Sequence, residues 1–169
     1  MDELLAEGNG FMAGRMTKAE EQLVGDPRYN SKVLSRFINC LMYGGKKSVA
    51  QRIVYRAFDE IEKRIEGDTT PLQIFEAAIQ NVKPNVEVRS KRVGGANYQV
   101  PMHVKPRRQQ SLAFRWIINA IRSERGRPMH MRLGRELMDA ANNEGKACNT
   151  REQTHRMAEA NKAFAHFAW

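Results

Sequence analysis

The sequence predicts an all-α fold: a single six-helix domain with a protruding two-stranded antiparallel β-hairpin. Apolar residues recur every three to four positions through most of the chain, which is the period of an amphipathic helix. Between about residues 86 and 104 that period changes to an alternation of two around Gly94-Gly95, as expected for a hairpin. The chain of 169 residues is long enough for one domain with its own core.

The first two helices have recognisable ends. Apolar residues repeat at helical spacing over residues 33–42, and the first helix is predicted to stop at Gly44-Gly45, because glycine readily turns left-handed past a helix end. A second amphipathic run over residues 49–65 lasts until the break at Gly67-Asp68. The sequence therefore predicts two helices joined by a short glycine loop.

A capping box predicts where the third helix begins. Thr70 supplies the capping hydroxyl, Pro71 suits the first helical position, and the Gln73 side chain reaches back to the cap. The helix is predicted to end before Pro84, because the residue that precedes a proline avoids the helical conformation.

The second half of the chain contains three more predicted helices. Two lie near residues 107–125 and 129–143, and the last is predicted to open at a second capping box over residues 150–153. The six helices and the hairpin make up the predicted domain, residues 29–169. Residues 1–28 are polar, Gly-rich and weakly periodic, which predicts a flexible N-terminal extension.

The strand register is predicted from the pairing that gives a coherent apolar face. A two-residue loop would place Glu87 opposite Met102 and so mix charged and apolar residues on one face. A three-residue loop over residues 94–96 would place Val88 opposite Met102 instead. We therefore expect the three-residue loop.

Positive charge is concentrated in one third of the chain. The formal net charge is +9, which favours an anionic partner such as nucleic acid or an acidic membrane surface. Residues 83–135 contain thirteen Lys or Arg against two acids, Glu87 and Glu124. Residues 1–29 contain six acids against three bases, so the excess of positive charge does not come from the N-terminal segment.

The first residues and the two cysteines indicate the cellular compartment. The start, MDELLAEG, is acidic where a signal or transit peptide would be basic, and no apolar run approaches the roughly 18 residues of a membrane span. Cys40 and Cys148 stand far apart, so neither a disulfide framework nor a thiolate zinc site is expected. We expect a soluble protein of the bacterial cytoplasm rather than of an organelle, with no membrane partner.

Three cations, Arg89, Lys91 and Arg92, crowd the hairpin next to its glycine turn. Alternation places Arg89 and Lys91 on one face and Arg92, beside Tyr98, on the other, so neither face can be buried near the tip. One interpretation is a solvated hairpin whose cations blunt its edges. The interpretation we favour is an arm for a polyanion, because glycine permits close approach to phosphate and tyrosine can stack on a base.

The helix after the hairpin carries a cationic stripe. At about 100° per residue Arg108, Arg115 and Arg122 lie on one side, opposite apolar residues that include Trp116, which we assign to the core. The stripe lacks the acids that ordinary protein surfaces intersperse among their cations. The basic run continues through further arginines: Arg125, Arg127, Arg132 and Arg135.

The sequence indicates no catalytic or metal site. The run from Gly45 through Lys46 and Lys47 to Ser48 lacks the spacing of a nucleotide-binding P-loop and follows a helix, although its two lysines remain candidates for gripping phosphate. The histidines show no ligand spacing with carboxylate or cysteine, and no nucleophile elbow is present. We expect no enzymatic activity, no cofactor and no metal.

Four separated stretches occur in the order of a known family. GGKKSVAQRIVYRAF, VRSKRVGGANYQVP, LAFRWIINA and above all HRMAEANKAFAHFAW resemble the small-subunit ribosomal protein number seven family, bacterial type. The resemblance runs from about Asp26 to Trp169. Members of this family usually begin with a short Arg-rich arm, whereas the lead of this chain contains more acids than bases.

The resemblance implies a structural role in the ribosome. It implies binding to the 3′ major domain of small-subunit ribosomal RNA and nucleation of the assembly of the head. The hairpin would lie near the decoding region and the exit tRNA site, with mRNA nearby and ribosomal proteins nine and eleven as neighbours. The alternative is an architectural DNA-binding protein whose basic ribbon enters a groove.

The candidate site residues follow from the basic stretches and from the resemblance. The residues expected to bind ribosomal RNA are Lys32, Arg36, Lys46, Lys47, Ser48, Arg89, Lys91, Arg92, Arg107, Arg108, Arg115 and Arg122. The residues expected near exit-site tRNA and mRNA are Arg92, Gly94, Gly95 and Tyr98. Recognition would rest on phosphate contacts and shape, with some stacking.

Overall fold

Residues 23–65 and 68–168 are described by the computed structural model, where α-helices pack on one another and a two-stranded sheet contacts the last of them. In chain order the elements are α1 (Lys32–Leu41), α2 (Lys47–Glu62), α3 (Pro71–Val82), β1 (Val86–Val93), β2 (Ala96–His103), α4 (Pro106–Ser123), α5 (Met129–Ala141), α6 (Gly145–Ala160) and a 3₁₀ helix (Lys162–Phe167). The predicted fold class, six α-helices with an antiparallel hairpin, is confirmed for this part of the chain. The sequence pattern did not indicate the 3₁₀ helix.

Four phenylalanines form the centre of the core. Phe37, Phe58, Phe75 and Phe114 come from the first four α-helices, and each is at most 1% exposed. The ring centroid of Phe37 lies 5.3 Å from that of Phe75 and 5.4 Å from that of Phe114, both in edge-on geometry. Such pairs contribute about 0.5–1.5 kcal/mol beyond the burial of their area. The apolar periodicity of the helices therefore converges on one aromatic cluster.

Helix α5 lies at the centre of the helical packing, in contact with α2, α3, α4 and α6. Its Gly134 permits a close approach to α2, because a Cβ atom there would lie 3.2 Å from the Ala57 carbonyl oxygen. A glycine inside a helix costs about 1 kcal/mol relative to alanine. The close contact between the two helices accounts for its presence.

Both α1 and α3 begin at a side-chain cap, and the cap of α3 is the one that the sequence predicts. The Ser31 hydroxyl accepts a hydrogen bond from the backbone N–H three residues later at 3.3 Å. In α3 the Thr70 hydroxyl accepts from the Gln73 backbone N–H at 3.3 Å, and the Gln73 side chain accepts from the Thr70 backbone N–H at 2.9 Å. The predicted break at Gly67-Asp68 includes residue 67, which lies outside the described residues.

The start of α6 differs from the prediction. The helix begins at Gly145, before the expected capping box at Thr150, and the Thr150 hydroxyl instead donates to the Lys146 carbonyl inside the helix. The cap comes from α5, where the Glu136 carboxylate accepts a hydrogen bond from the Ala147 backbone N–H at 2.8 Å. Burial of this carboxylate raises the pKa of Glu136. A local sequence pattern does not reveal a cap supplied by another helix.

The segment before α1 is anchored on α2 through Asp26, which is 2% exposed. Its carboxylate accepts hydrogen bonds from the backbone N–H groups of Arg28 and Tyr29, at 3.1 and 3.3 Å, and from the Tyr55 hydroxyl at 2.8 Å. Burial, together with the hydrogen bond to Asp26, raises the pKa of Tyr55 to about 12. The predicted extension over residues 1–28 lies mostly outside the described residues, and its flexibility stays a prediction.

We expect the substitution Tyr55→Phe to lower the free energy of unfolding by about 1–2 kcal/mol, because the buried Asp26 carboxylate loses one of its three donors. In the unsubstituted protein the unfolded chain releases the Tyr55 proton near the ordinary pKa of 10.0, whereas the folded protein keeps it until about pH 12. The folded state then binds more protons than the unfolded state, so stability falls as pH rises through this interval. Urea denaturation of both proteins across the interval measures the difference. An identical pH dependence of the two proteins would contradict this assignment.

The hairpin has the register that the sequence pattern disfavoured. Glu87 pairs with Met102 around a two-residue loop, Gly94-Gly95, so the predicted three-residue loop with Val88 opposite Met102 is wrong. The two glycines have φ values of 58° and 89°. Positive φ at both central residues is what a type I′ turn requires, and the twist of that turn matches the twist of paired strands.

One face of the hairpin carries both charged and apolar residues. It is stabilised by burial of its apolar residue and by ion pairs to its carboxylate. Val100 is fully buried and Glu87 is 8% exposed on the same face, where arginine side chains surround the carboxylate. The register also places Tyr98 opposite Lys91 rather than beside Arg92. The turn chemistry, together with these ion pairs, therefore outweighs the apolar matching on which the prediction relied.

Candidate nucleic-acid interface

Glu87 of β1 joins the hairpin to α4 through two arginines. Its carboxylate accepts hydrogen bonds from Arg89 Nε at 2.7 Å and from the Arg108 guanidinium at 3.3 Å. The Glu87 side chain is 10% exposed, whereas those of Arg89 and Arg108 are 45% and 39% exposed. One negative charge faces two positive charges here, so this corner keeps a net positive charge and part of each guanidinium group faces solvent.

The 3₁₀ helix braces the middle of the hairpin. The Lys91 ammonium donates a hydrogen bond to the Phe167 carbonyl at 2.8 Å. The ring of Tyr98, the cross-strand partner of Lys91, has its centroid 5.2 Å from that of Phe164 and 5.3 Å from that of Phe167. Phe164 and Phe167 thus cover part of the Tyr98 ring. Stacking of the remaining, half-exposed part on a base stays a prediction.

The tip of the hairpin projects into solvent. Arg92, Gly94 and Gly95 are exposed, and within the described part of the chain no residue beyond the immediate chain neighbours comes within 4 Å of where a Cβ atom would lie on either glycine. Among the described residues no carboxylate forms an ion pair with Arg92. The tip therefore offers a cation and unobstructed backbone to an approaching phosphate.

The predicted stripe of α4 lies on its solvent side. Arg107, Arg115 and Arg122 are exposed, and Arg108 is half-exposed. Arg122 also donates a hydrogen bond to the Leu41 carbonyl at 3.2 Å, which fixes it beside the end of α1. The opposite side is buried through Ala113, Ile117, Ala120 and Ile121, while Trp116 is half-buried against the core.

The cations of α1 adjoin those of α4 around Cys40. Desolvation raises the pKa of the Cys40 thiol, and the positive charges of Arg36 and Arg115 oppose that rise. Helices α1 and α4 are in contact, so their basic surfaces adjoin. Lys32 is exposed one turn before Arg36 on the same side of α1.

The glycine loop between α1 and α2 exposes Lys46, Lys47 and Ser48 together. Lys46 lies at the N-cap of α2 and supplies no side-chain cap. The first turn of α2 therefore leaves backbone N–H groups available beside two lysines. This combination of cations and a helix N-terminus suits phosphate.

The arginines after α4 differ in what they contact. Arg125 and Arg127 are exposed. Arg132 instead donates to the Ile121 carbonyl at 2.7 Å and to the Glu124 carbonyl, and so caps the C-terminal end of α4. Arg135 lies 3.6 Å from Asp139. The continuous basic run expected from the sequence is thus interrupted by one arginine that serves the fold.

Sequence reasoning missed two partners of the basic residues, Glu87 and Phe167. The available signal for Glu87 was its position as one of two acids in a basic stretch. No signal indicated that the C-terminal residues return to the hairpin. Within residues 23–65 and 68–168, no cluster of three or more His, Cys, Asp or Glu is arranged for a metal ion, and no helix has the length and apolar character to cross a membrane.

Comparison with known protein families identifies the family of the chain that carries this basic surface. Residues 13–162 match the family described as Ribosomal protein S7p/S5e. The chain belongs to this family. The match begins before Asp26, where the resemblance was expected to start, and so includes part of the acidic lead.

Relatives carrying the name small ribosomal subunit protein uS7 are similar over nearly the whole chain. The protein of Rhodopirellula baltica is 60% identical over 156 residues, which cover 92% of this chain and 99% of the relative. The protein of Methylobacterium radiotolerans is 52% identical over 158 residues, which cover 94% of this chain and 100% of the relative. The resemblance predicted from the four sequence stretches is confirmed.

Proposed function

We propose that the protein is a structural constituent of the small ribosomal subunit and binds ribosomal RNA. Its family membership, and the names of relatives that match almost end to end, support this role. The observation that carries the mode of binding is the exposed basic surface itself. Residues 83–135 contain thirteen cations and two acids, and one of these acids, Glu87, is buried. The role is structural rather than enzymatic.

The surface binds by neutralising phosphates. Each phosphate contacted by Lys or Arg releases condensed counterions, so binding weakens with salt in proportion to the number of contacts. Arginine predominates on the hairpin and α4, where its planar fork can grip phosphate oxygens in pairs. Glu87 and the 3₁₀ helix hold the hairpin against the domain, which reduces the entropy that would be lost on ordering it at the RNA.

The finer location follows the family resemblance. We place the RNA contacts in the 3′ major domain, where binding nucleates the head of the subunit in the bacterial cytoplasm. The hairpin tip, with Arg92, Gly94, Gly95 and Tyr98, then lies near exit-site tRNA and mRNA. Ribosomal proteins nine and eleven are the proposed neighbours.

A competition experiment tests RNA as the partner. The full-length protein is bound to a labelled transcript of the 3′ major domain, and unlabelled transcript or B-form DNA duplex is added at matched salt. We expect the transcript to compete far better than the duplex, because the contacts are matched to the shape of a folded RNA. A preference for the duplex would support the architectural DNA-binding alternative and overturn the proposal.

A further inference from the structure

An apolar pocket of about 450 Å³ opens between the glycine loop before α2 and the junction of α4 with α5. Its volume lies in the range of about 300–1,000 Å³ that is typical of small-molecule sites. The apolar lining comes from Leu41, Val49, Ala50, Ile53 and Met129. None of the described residues that line it is acidic.

The rim of the pocket combines an aromatic ring with two cations. Tyr43 is 85% exposed, the most exposed of the large hydrophobic residues that the structure describes. Lys46 and Arg122 complete the rim. The Lys46 backbone N–H donates to the Tyr43 carbonyl at 3.2 Å, and Arg122 donates to the Leu41 carbonyl, so the turn and the guanidinium group are both fixed at the opening.

We propose that this pocket receives one unstacked base of the bound RNA, with the ring of Tyr43 against the base and Lys46 and Arg122 on the flanking phosphates. This inference rests on the proposed function and adds a base contact to the phosphate contacts of the hairpin. Aromatic rings stack on bases, and cations next to them hold the backbone, in many proteins that bind single-stranded nucleic acid.

Charge complementarity selects the occupant. An apolar side chain of a partner protein would fit the lining but would leave two rim cations without a counter-charge. A single nucleotide supplies both an apolar base face for the lining and a negatively charged phosphate for the cations of the rim. Loops and bulges of folded RNA are where unstacked bases are presented to proteins.

The test measures the affinity of full-length variants for the 3′ major domain transcript over a range of salt concentrations. Tyr43→Ala is expected to bind about 5- to 150-fold more weakly, the loss associated with one stacked base. Its slope of affinity against salt is expected to equal that of the unsubstituted protein, because tyrosine releases no counterions. Tyr43→Trp keeps a stacking ring and is expected to retain the affinity.

Met157→Ala is the matched control, because Met157 is an exposed apolar residue of α6, 52% exposed, that does not line the pocket. Its affinity is expected to be unchanged. Equal affinity of Tyr43→Ala and the unsubstituted protein overturns the inference and leaves a partner protein as the occupant. Equal losses in Tyr43→Ala and Tyr43→Trp, or a loss in the control, also overturn it. Failure of the unsubstituted protein to bind the transcript would instead overturn the proposed function.

Discussion

Replacing Arg89, Lys91 and Arg92 together with alanine is expected to weaken binding to the 3′ major domain transcript about tenfold or more. It should also reduce the slope of log affinity against log salt by up to about three, one for each phosphate contact that is lost. The fold should survive, because Arg89 and Arg92 are exposed and Lys91 is only half-buried on a projecting hairpin. Filter binding at several salt concentrations measures both quantities.

The three positions are not expected to contribute equally. Arg92 should give the largest single loss, since Arg89 shares the Glu87 carboxylate and Lys91 donates to the Phe167 carbonyl. The control is the double variant Lys63→Ala, Arg64→Ala, which removes two cations just past the C-terminal end of α2, about 24 Å along the helix from Lys46. Its salt slope should match that of the unsubstituted protein. If the triple variant kept both its affinity and its slope, the hairpin would have to be removed from the binding surface.

Glu87→Ala is expected to lower the free energy of unfolding by about 2–3 kcal/mol. Removing one partner of a buried ion pair costs about 3–5 kcal/mol. The cost is smaller here because the side chains of Arg89 and Arg108 are more than one third exposed and can recover hydration. They would still repel each other at the junction between the hairpin and α4. Chemical denaturation measures the loss, and hydrogen exchange should rise first in β1 and β2.

A matched control for Glu87 is Glu152→Ala. Glu152 forms an ion pair with Arg151 at 3.6 Å, but its side chain is 55% exposed. Exposed pairs contribute about 0–1 kcal/mol, so this variant should be nearly as stable as the unsubstituted protein. Equal stabilities of the two alanine variants would show that the Glu87 carboxylate does not hold the hairpin on the domain.

Local patterns in the sequence were sufficient for most of the fold. The capping box at Thr70 and Gln73 begins α3 as predicted, and both hydrogen bonds of that box form between residues three positions apart. The apolar period places Ile117 and Ile121 in the core and Arg115 on the surface of the same helix. Such features depend on residues a few positions apart, so they can be predicted from the amino-acid sequence alone.

The interface was predicted from the sequence only as a set of charges. The concentration of cations in residues 83–135 indicated an anionic partner, and four stretches indicated the family. Which cations face solvent depends on distant groups. Arg132 caps α4, and Arg108 shares the Glu87 carboxylate with Arg89. Nothing near Arg132 or Arg108 in the chain distinguishes these two arginines from the exposed Arg127.

By itself, the sequence determined the helices, the hairpin, the excess of positive charge and the family of the chain. The tertiary structure alone decided the start of α6 and the packing of Tyr98 against the C-terminal 3₁₀ helix. The physical reason is the distance along the chain between the groups concerned. A helix period or a local cap is set by residues a few positions apart, whereas Glu136 and the start of α6, like Arg108 and Glu87, become neighbours only after the domain has folded.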